Sequence, residues 1–444
     1  MKVKMVSFIG LVLLLTVMPV FSAGSAEVST AKPVTFMWWG NETRHAATNA
    51  AVEQYKAANP GKQVTTMPNP FDGYHDKIII QLANGTAPDL FCFSTEWLAE
   101  VAYTKNPVLK DLYDLKDFID LSTMSENLYK GGEINGKLLG LPTGISGWTY
   151  TYNINKLQEF SEKTGKPLPP GPGQTWTFEQ FIQYGKEFHD AMGPSSALIA
   201  TSKDQLSHFL VHVLSEIAGA YYVNDQAQMQ FTKAHLLEML SLFKRMTDVG
   251  LLPAGRQQVE SLTGTTVTTT NVASGNWAGW FSWTSNVAEN EATSNSPVGI
   301  MAYPSLGRPE ADGLFVRPAQ FWSISRDSKN PQDAARLLNF IVNDARAIAE
   351  LKLERSVPPT EAGQKVLADM GILSGPSYES TRYLMQTAGS KYTPFILIPE
   401  LTEALRNEYS KFIVGGQTAE QTADTLMSQF DSILTRIRRT NGIQ

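Results

Sequence analysis

From residue 34 onward, short apolar runs alternate with stretches in which apolar residues recur at helical spacing. Residues 34–39 read Val-Thr-Phe-Met-Trp-Trp, the residue types that fill a pleated strand. Residues 43–58 read as a helix closed by Asn59-Pro60-Gly61, and residues 63–67 as a second short strand. Over 72–84, Ile78, Ile79 and Leu82 share one side of a helix that Gly85 stops, and 90–93 is again short and apolar. This β-α-β-α-β order predicts a doubly wound α/β layer.

A second alternation follows Lys137. Residues 138–141 and 148–152 read as strands and 155–164 as a helix. Residues 167–173 hold four prolines in seven positions and must be a loop, since neither a helix nor a sheet ladder survives them. Thr177 and Gln180 have capping-box spacing for a helix running to about Ala191. Over 204–218, Leu206, Phe209, Leu210, Val213, Leu214 and Ile217 keep a 3.6-residue period. Residues 232–249 do the same and stop at Gly250. The Thr- and Val-rich 265–270 reads as β-like, 299–303 and 321–325 as strands, and the chain from Pro331 onward as mostly helical. No internal repeat is found.

With 444 residues, 42% hydrophobic and 18% charged, the chain can bury a large core and divides into two or three domain-sized units. Residues 1–26 are of a different kind. Lys2 and Lys4 precede the apolar run 5–20, and small residues follow at 22–26, the pattern of a cleavable secretory signal peptide. Without it, 35 basic residues stand against 43 acidic ones, a net charge of −8, and the basic stripe that nucleic acid requires is absent. The single cysteine, Cys92, can form no internal disulfide and lies far from the leader, so it offers no lipid anchor there. The mature chain is expected free in the periplasm, as a monomer.

Local motifs for catalysis are weak. Residues 131–137 match a phosphate loop except that Leu138 stands where a hydroxyl is needed, and they read more simply as a hairpin turn. His208, His212 and Glu216 stand four apart on one helix, as metal ligands could, but they read better as its solvated face. Residues 144–147 resemble a nucleophile elbow until Trp148 takes the place of the second glycine. No metal site, cofactor or catalytic residue is assigned.

Aromatic density in turn-like places is the stronger signal. Trp39 and Trp283 each sit where a strand gives way to small polar residues, and ligands of α/β sheets bind beyond the carboxyl ends of strands. Trp97, Trp148, Tyr150, Trp280 and Trp322 add further aromatic surface. A pyranose presents an apolar face that lies on an aromatic ring and a rim of hydroxyls that suits Asn, Asp, Glu or Arg. On this reading Trp39 supplies the face, Asn41 a rim contact and Arg44 a charged contact beside a helix start. A carboxylate on the sugar would be favoured by Arg44 and the helix amides together.

These segments resemble the extracellular solute-binding proteins of family 1, which serve ABC sugar importers. The resemblance is carried by VTFMWWG, YKAANPGKQV, DGYHDKIIIQLANGTAPDLF, GKLLGLPTGISGWTYTYNINKL, SGNWAGWFSWTSNVAE and SKNPQDAARLLNFIVNDARA, in that order. It implies two α/β lobes joined by a hinge of crossing strands, with the ligand in the cleft between them. The implied division places 33–141 and 317–354 in an N-terminal lobe, and 142–316 and 355–444 in a C-terminal one. By position it implies ligand contacts at Trp39, Gly40 and Asn41, at Glu96 and Trp97, at Trp283, at Arg317 and Gln320, and at Arg355 before the last crossing. WWG followed by Arg-His, with the DGY at Asp72, also resembles the branch that takes up oligogalacturonides. The implied partners are a mono- or oligosaccharide and an inner-membrane ABC permease. The competing reading from another class is a secreted carbohydrate-active enzyme, a polysaccharide lyase or glycoside hydrolase, using the same aromatics.

Overall fold

The computed structural model describes residues 32–102, 106–172, 174–224, 226–264, 266–307, 316–374, 378–379, 382, 395 and 397–443. The expected signal peptide, 1–26, lies outside them. In chain order the strands are β1 (Val34–Trp39), β2 (Val64–Asn69), β3 (Leu90–Phe93), β4 (Glu133–Ile134), β5 (Lys137–Leu138) and β6 (Leu141–Pro142). They continue as β7 (Ile145–Asn153), β8 (Gly279–Trp283), β9 (Val298–Ala302), β10 (Val316–Pro318) and β11 (Phe321–Ile324).

The first sheet has the order β2-β1-β3-β11-β6. β1 runs parallel to β2 and β3, while β11 is antiparallel to β3 and β6. A central parallel strand covered on both faces must be apolar on both, and every residue of β1 except Thr35 is buried. The polar exception is answered locally. Thr35 donates through N and Oγ1 to Asp89 Oδ2 at 2.9 and 2.8 Å, and Ser328 Oγ donates to Asp89 Oδ1 at 2.6 Å. Burial alone would raise the Asp89 carboxyl, but the hydrogen bonds from Ser328 and Thr35 outweigh it and hold it below its ordinary 3.8.

The second sheet is built around β7, all of whose residues are buried. β8 and β9 pair with it antiparallel, placing Trp148 opposite Trp283 and Tyr150 opposite Phe281 and Met301, and β10 pairs with its start, Arg317 opposite Ser146. The architecture is therefore the two-lobe α/β fold with a hinge. Three segments pass between the sheets side by side. Thr143 N donates to Gln320 O at 2.9 Å, Ala319 N to Gly144 O at 2.8 Å, and Ile145 N to Val357 O at 2.9 Å. Gly144 is required there, because a Cβ would stand 1.9 Å from the Arg355 carbonyl oxygen.

Within the expected turn, Glu133–Leu138 is the hairpin that the Asn-Gly pair predicts, β4 against β5 with Asn135 and Gly136 at φ 53° and 72°, while Gly131 and Gly132 belong to a short 3-10 turn before it. Two expectations fail. Thr266–Ala273 is a helix, not a strand; packing against the helix Val287–Ser294 overrides the β preference of its threonines. The helix Lys203–Ala218 has no solvated face beyond its first turn, because Lys233–Asp248, Pro399–Ile413 and β8 pack around it. Glu216 is fully buried and accepts from Leu306 N, and His212 is buried with its ring edge-to-face with Trp148 and Tyr303, centroids 5.4 and 5.8 Å apart. The helix Glu361–Asp369 packs on Ala345–Leu351, beside the first sheet. Among the described residues, no helix is long and apolar enough to cross a membrane.

Candidate functional site

A cavity of about 820 Å³ opens where the carboxyl ends of β1 and β3 face the end of β8. Its first wall begins at Trp39, the last residue of β1, and continues through Gly40 and Asn41 into the helix Glu42–Ala58. Asn41 caps that helix, its side chain accepting from Arg44 N at 2.9 Å, so Asn41 and Arg44 are fixed by the helix start itself. Gly40 makes room for Arg44: a Cβ there would lie 2.7 Å from Arg44 Cδ. Arg44 Nε donates to the Glu354 carbonyl at 3.0 Å, on the segment entering the last crossing. His45 turns away and pairs with Trp38 Nε1 at 3.1 Å.

Aromatic surface on this wall is layered. Trp39 is only 5% exposed, packed against Tyr74 at 4.9 Å and Trp97 at 5.2 Å. In front of it Phe71 is 58% exposed and stacks on Trp97 with planes 19° apart. Phe71 therefore presents the open ring and Trp39 backs it. The sequence reading missed Phe71, although an aromatic in the Asn-Pro-Phe-Asp-Gly turn just past a strand end was the available signal.

The hinge forms the floor. Ala319, Gln320, Glu354, Arg355, Ser356 and Ser146 line it. Arg355 is 4% exposed, and no carboxylate pairs with it among the described residues. Its Nη1 donates to Gln320 Oε1 at 3.1 Å and approaches Cys92 Sγ at 3.7 Å, while Nη2 donates to Thr48 Oγ1 at 3.3 Å. The guanidinium lies over the buried Trp322 ring at 4.9 Å, and Nε has no partner. Burial pulls the Arg355 pKa down and the neighbouring Arg44 charge adds to this, yet a guanidinium keeps its proton at neutral pH. Burial likewise pushes the Cys92 thiol up to about 11, so beneath this floor it is a neutral donor to Gln320 Oε1 at 3.0 Å.

The opposite wall comes from the second lobe. Trp283 meets Trp148 edge-on at 5.0 Å, and His208 stacks on Trp148 at 4.8 Å with its Nδ1 2.7 Å from the Asp204 carbonyl. Arg406, 7% exposed, donates to Ser207 Oγ at 2.8 Å and lies 3.7 Å from Glu403. Lys203, Asp204, Asn286, Glu289 and Thr402 complete it.

Of the residues expected at the ligand, Trp39, Gly40, Asn41, Arg44, Trp97, Trp283, Gln320 and Arg355 line this cavity. Five do not meet it: Asp72, Trp148, Tyr150, Trp280 and Trp322. Asp72 is exposed in a surface turn. Tyr150 is buried on β7 with its hydroxyl donating to Leu198 O at 3.0 Å, because its face of the strand is covered by Phe181 and Phe281. Trp322 lies beneath Arg355 as its ring partner, and Trp280 faces a smaller cavity of about 390 Å³, which Trp148 also lines. Glu96 lies in the turn Thr95–Trp97 and Arg317 on β10, and their side chains lie outside the described residues. Phe71, Lys203, Asp204, Ser207, His208, Asn286, Glu289, Glu354 and Arg406 were not anticipated as contacts.

Residues 50–366 match the family model described as bacterial extracellular solute-binding protein. Among solved structures, a periplasmic solute-binding protein of Pectobacterium atrosepticum superposes with a TM-score of 0.81 at 24% identity, covering 92% of this chain and all of that one. A periplasmic oligogalacturonide-binding protein of Yersinia enterocolitica, solved with saturated digalacturonic acid, gives 0.75 at 23% identity over 91% of this chain and 99% of the other. A de novo designed esterase gives 0.79 at 23% identity over 91% of this chain and 99% of the other. At these identities the superpositions establish the fold, not the chemistry.

Proposed function

Because this chain belongs to the bacterial extracellular solute-binding proteins, which capture substrate for ABC importers, we propose that its ligand is a saccharide bearing a carboxylate. It is held in the cleft without being cleaved. The observation carrying this reading is Arg355: a buried cation facing a polar cavity, with an unpartnered Nε and, among the described residues, no carboxylate in an ion pair with it. An uncompensated buried charge is costly, and a ligand anion is the natural compensation. Arg44 stands on the adjoining wall, and of the acids that line the cavity Asp204, Glu289 and Glu403 are exposed while Glu354, half-buried beside Arg355, forms no ion pair with it. Phe71, backed by Trp97, offers a ring for the pyranose face, and Trp283 offers another across the cleft.

Closure would be driven by a ligand that touches both walls at once, since only the closed state then makes both sets of contacts. We place 33–141 and 317–354 in one lobe, together with the helix 361–369 that packs beside them, and 142–316 with the remaining C-terminal helices in the other. The mature chain would act as a periplasmic monomer after removal of 1–26, docking on an inner-membrane permease, with no cofactor and no nucleic acid. A hydrolase reading finds no support in the cavity serine best placed for it, since Ser207 Oγ donates to the Lys203 carbonyl and accepts from Arg406.

Titration calorimetry with galacturonic acid oligomers and malto-oligosaccharides tests the proposal, with chromatography of the recovered ligands. One-to-one binding of the acidic series with intact ligand is expected. Binding confined to neutral sugars, or fragments released at turnover, would overturn it.

A further inference from the structure

The smaller cavity, of about 390 Å³, opens off the main cleft, for Asp204, His208, Trp283, Asn286 and Glu289 line both. Its own lining differs in kind from the floor of the cleft. Trp148, Trp280 and Phe281 give it aromatic walls, and Ser202, Gln205, Thr268, Thr269, Asn290 and Thr293 give it hydroxyls and amides. Among the described residues no lysine or arginine lines it, and its fixed charges are the carboxylates Asp204 and Glu289 at the shared boundary.

We propose that this side cavity is a second saccharide subsite that takes a neutral, hydroxyl-bearing sugar unit. The proposal rests on the acidic-saccharide reading of the main cleft. In the main cleft Arg355 and Arg44 outweigh these carboxylates, whereas in the side cavity no cation among the described lining residues offsets them. A uronate is therefore disfavoured there, while they and the amides accept hydrogen bonds from hydroxyls. A hydroxyl both donates and accepts, so it can be matched by the hydroxyls and amides of this wall. The aromatic walls suit the apolar face of the ring. The ligand is thus unlike at its two ends: an acidic unit at Arg355 and Arg44, and a neutral unit past Trp283. A chain of uronic acids alone fits the first position and not the second.

Calorimetry on the full mature chain tests this with three probes: galacturonic acid, digalacturonic acid, and an aldobiouronic acid, a disaccharide of one uronic acid and one neutral hexose. The aldobiouronic acid is expected to bind about tenfold more tightly than either other probe, a difference of about 1.4 kcal/mol. Thr293→Phe, which fills the side cavity from the helix Val287–Ser294, should abolish that advantage and leave the affinity for galacturonic acid unchanged. Thr269→Lys, which adds a cation to the side cavity, should invert the preference toward digalacturonic acid, a gain that misfolding cannot imitate. Equal or tighter binding of digalacturonic acid by the unsubstituted chain, or a preference untouched by both substitutions, overturns the subsite. If none of the three acids binds, the acidic reading of the main cleft itself falls, a result distinct from loss of the preference alone.

Discussion

Replacing Arg355 by methionine separates a binding role from a structural one. The guanidinium holds two hydrogen bonds, to Gln320 Oε1 and Thr48 Oγ1, and lies over Trp322. Hydrogen bonds to a charged group contribute about 1.5–3 kcal/mol each, and a desolvated cation–π contact about 2. Against this, burying an ion without a counter-charge costs several kcal/mol, and Arg44 nearby adds repulsion. The terms nearly cancel, and methionine fills much of the same volume, so Arg355→Met should change stability by no more than about 2 kcal/mol. Binding has no such cancellation. Removing one member of a buried charge pair costs about 2–5 kcal/mol, so affinity for galacturonic acid oligomers should fall at least about 30-fold. Differential scanning calorimetry and titration calorimetry read the two quantities. A variant that melts far lower yet binds the acid unchanged would show Arg355 to be a structural strut and refute the reasoning.

Phe71→Ala should leave the melting temperature nearly unchanged, because the ring is 58% exposed, while weakening saccharide binding by about 5- to 30-fold, or 1–2 kcal/mol; unchanged affinity by titration would remove Phe71 from the site. Asp89→Asn should flatten the acid limb of the stability curve. The folded carboxyl is held below 3.8, so its contribution is present above that pH and is lost as pH falls through the folded value; urea titrations from pH 6 to about 3 would check this. Gly144→Ala should destabilise by about 2 kcal/mol or more, because its Cβ would meet the Arg355 carbonyl at 1.9 Å where the crossings touch; a melting temperature equal to that of the unsubstituted chain would contradict it.

Most of the first sheet was legible because its signals are local. A run such as Val34–Trp39 announces a strand, and the rule that ligands gather at strand ends then singles out Trp39 and Trp283. The second wall was not legible for the opposite reason. Lys203, His208, Asn286 and Arg406 come from segments up to about two hundred positions apart, and their convergence is a property of packing that no local pattern encodes. His212 and Glu216 misled because polar residues at helical spacing ordinarily mark a wet face. Here Trp148, Tyr303 and the Leu306 amide take the place of water. Tyr150 and Trp322 misled because aromatic type alone cannot distinguish a ring that faces the ligand from one that supports what does.

The anchoring of the charged floor has a kinetic consequence. Arg355 begins one crossing, Gln320 belongs to another, and Arg44 is tied to the carbonyl of Glu354 just before the first of these. In the proposed closure these segments are the pivot, so the anion-binding atoms move least, while Phe71 on one wall and Trp283 on the other travel furthest. The acid should therefore be captured by the open form and the rings should close on it afterwards. Rapid-mixing measurements of tryptophan fluorescence separate the two steps. Arg355→Met should slow association, because it removes the cation that the incoming acid meets first. Phe71→Ala should leave association intact and speed dissociation, since its ring contributes only once the cleft has shut. The reverse pattern, with Phe71→Ala slowing association and Arg355→Met altering dissociation alone, would mean that the rings engage first and that the hinge does not carry the site.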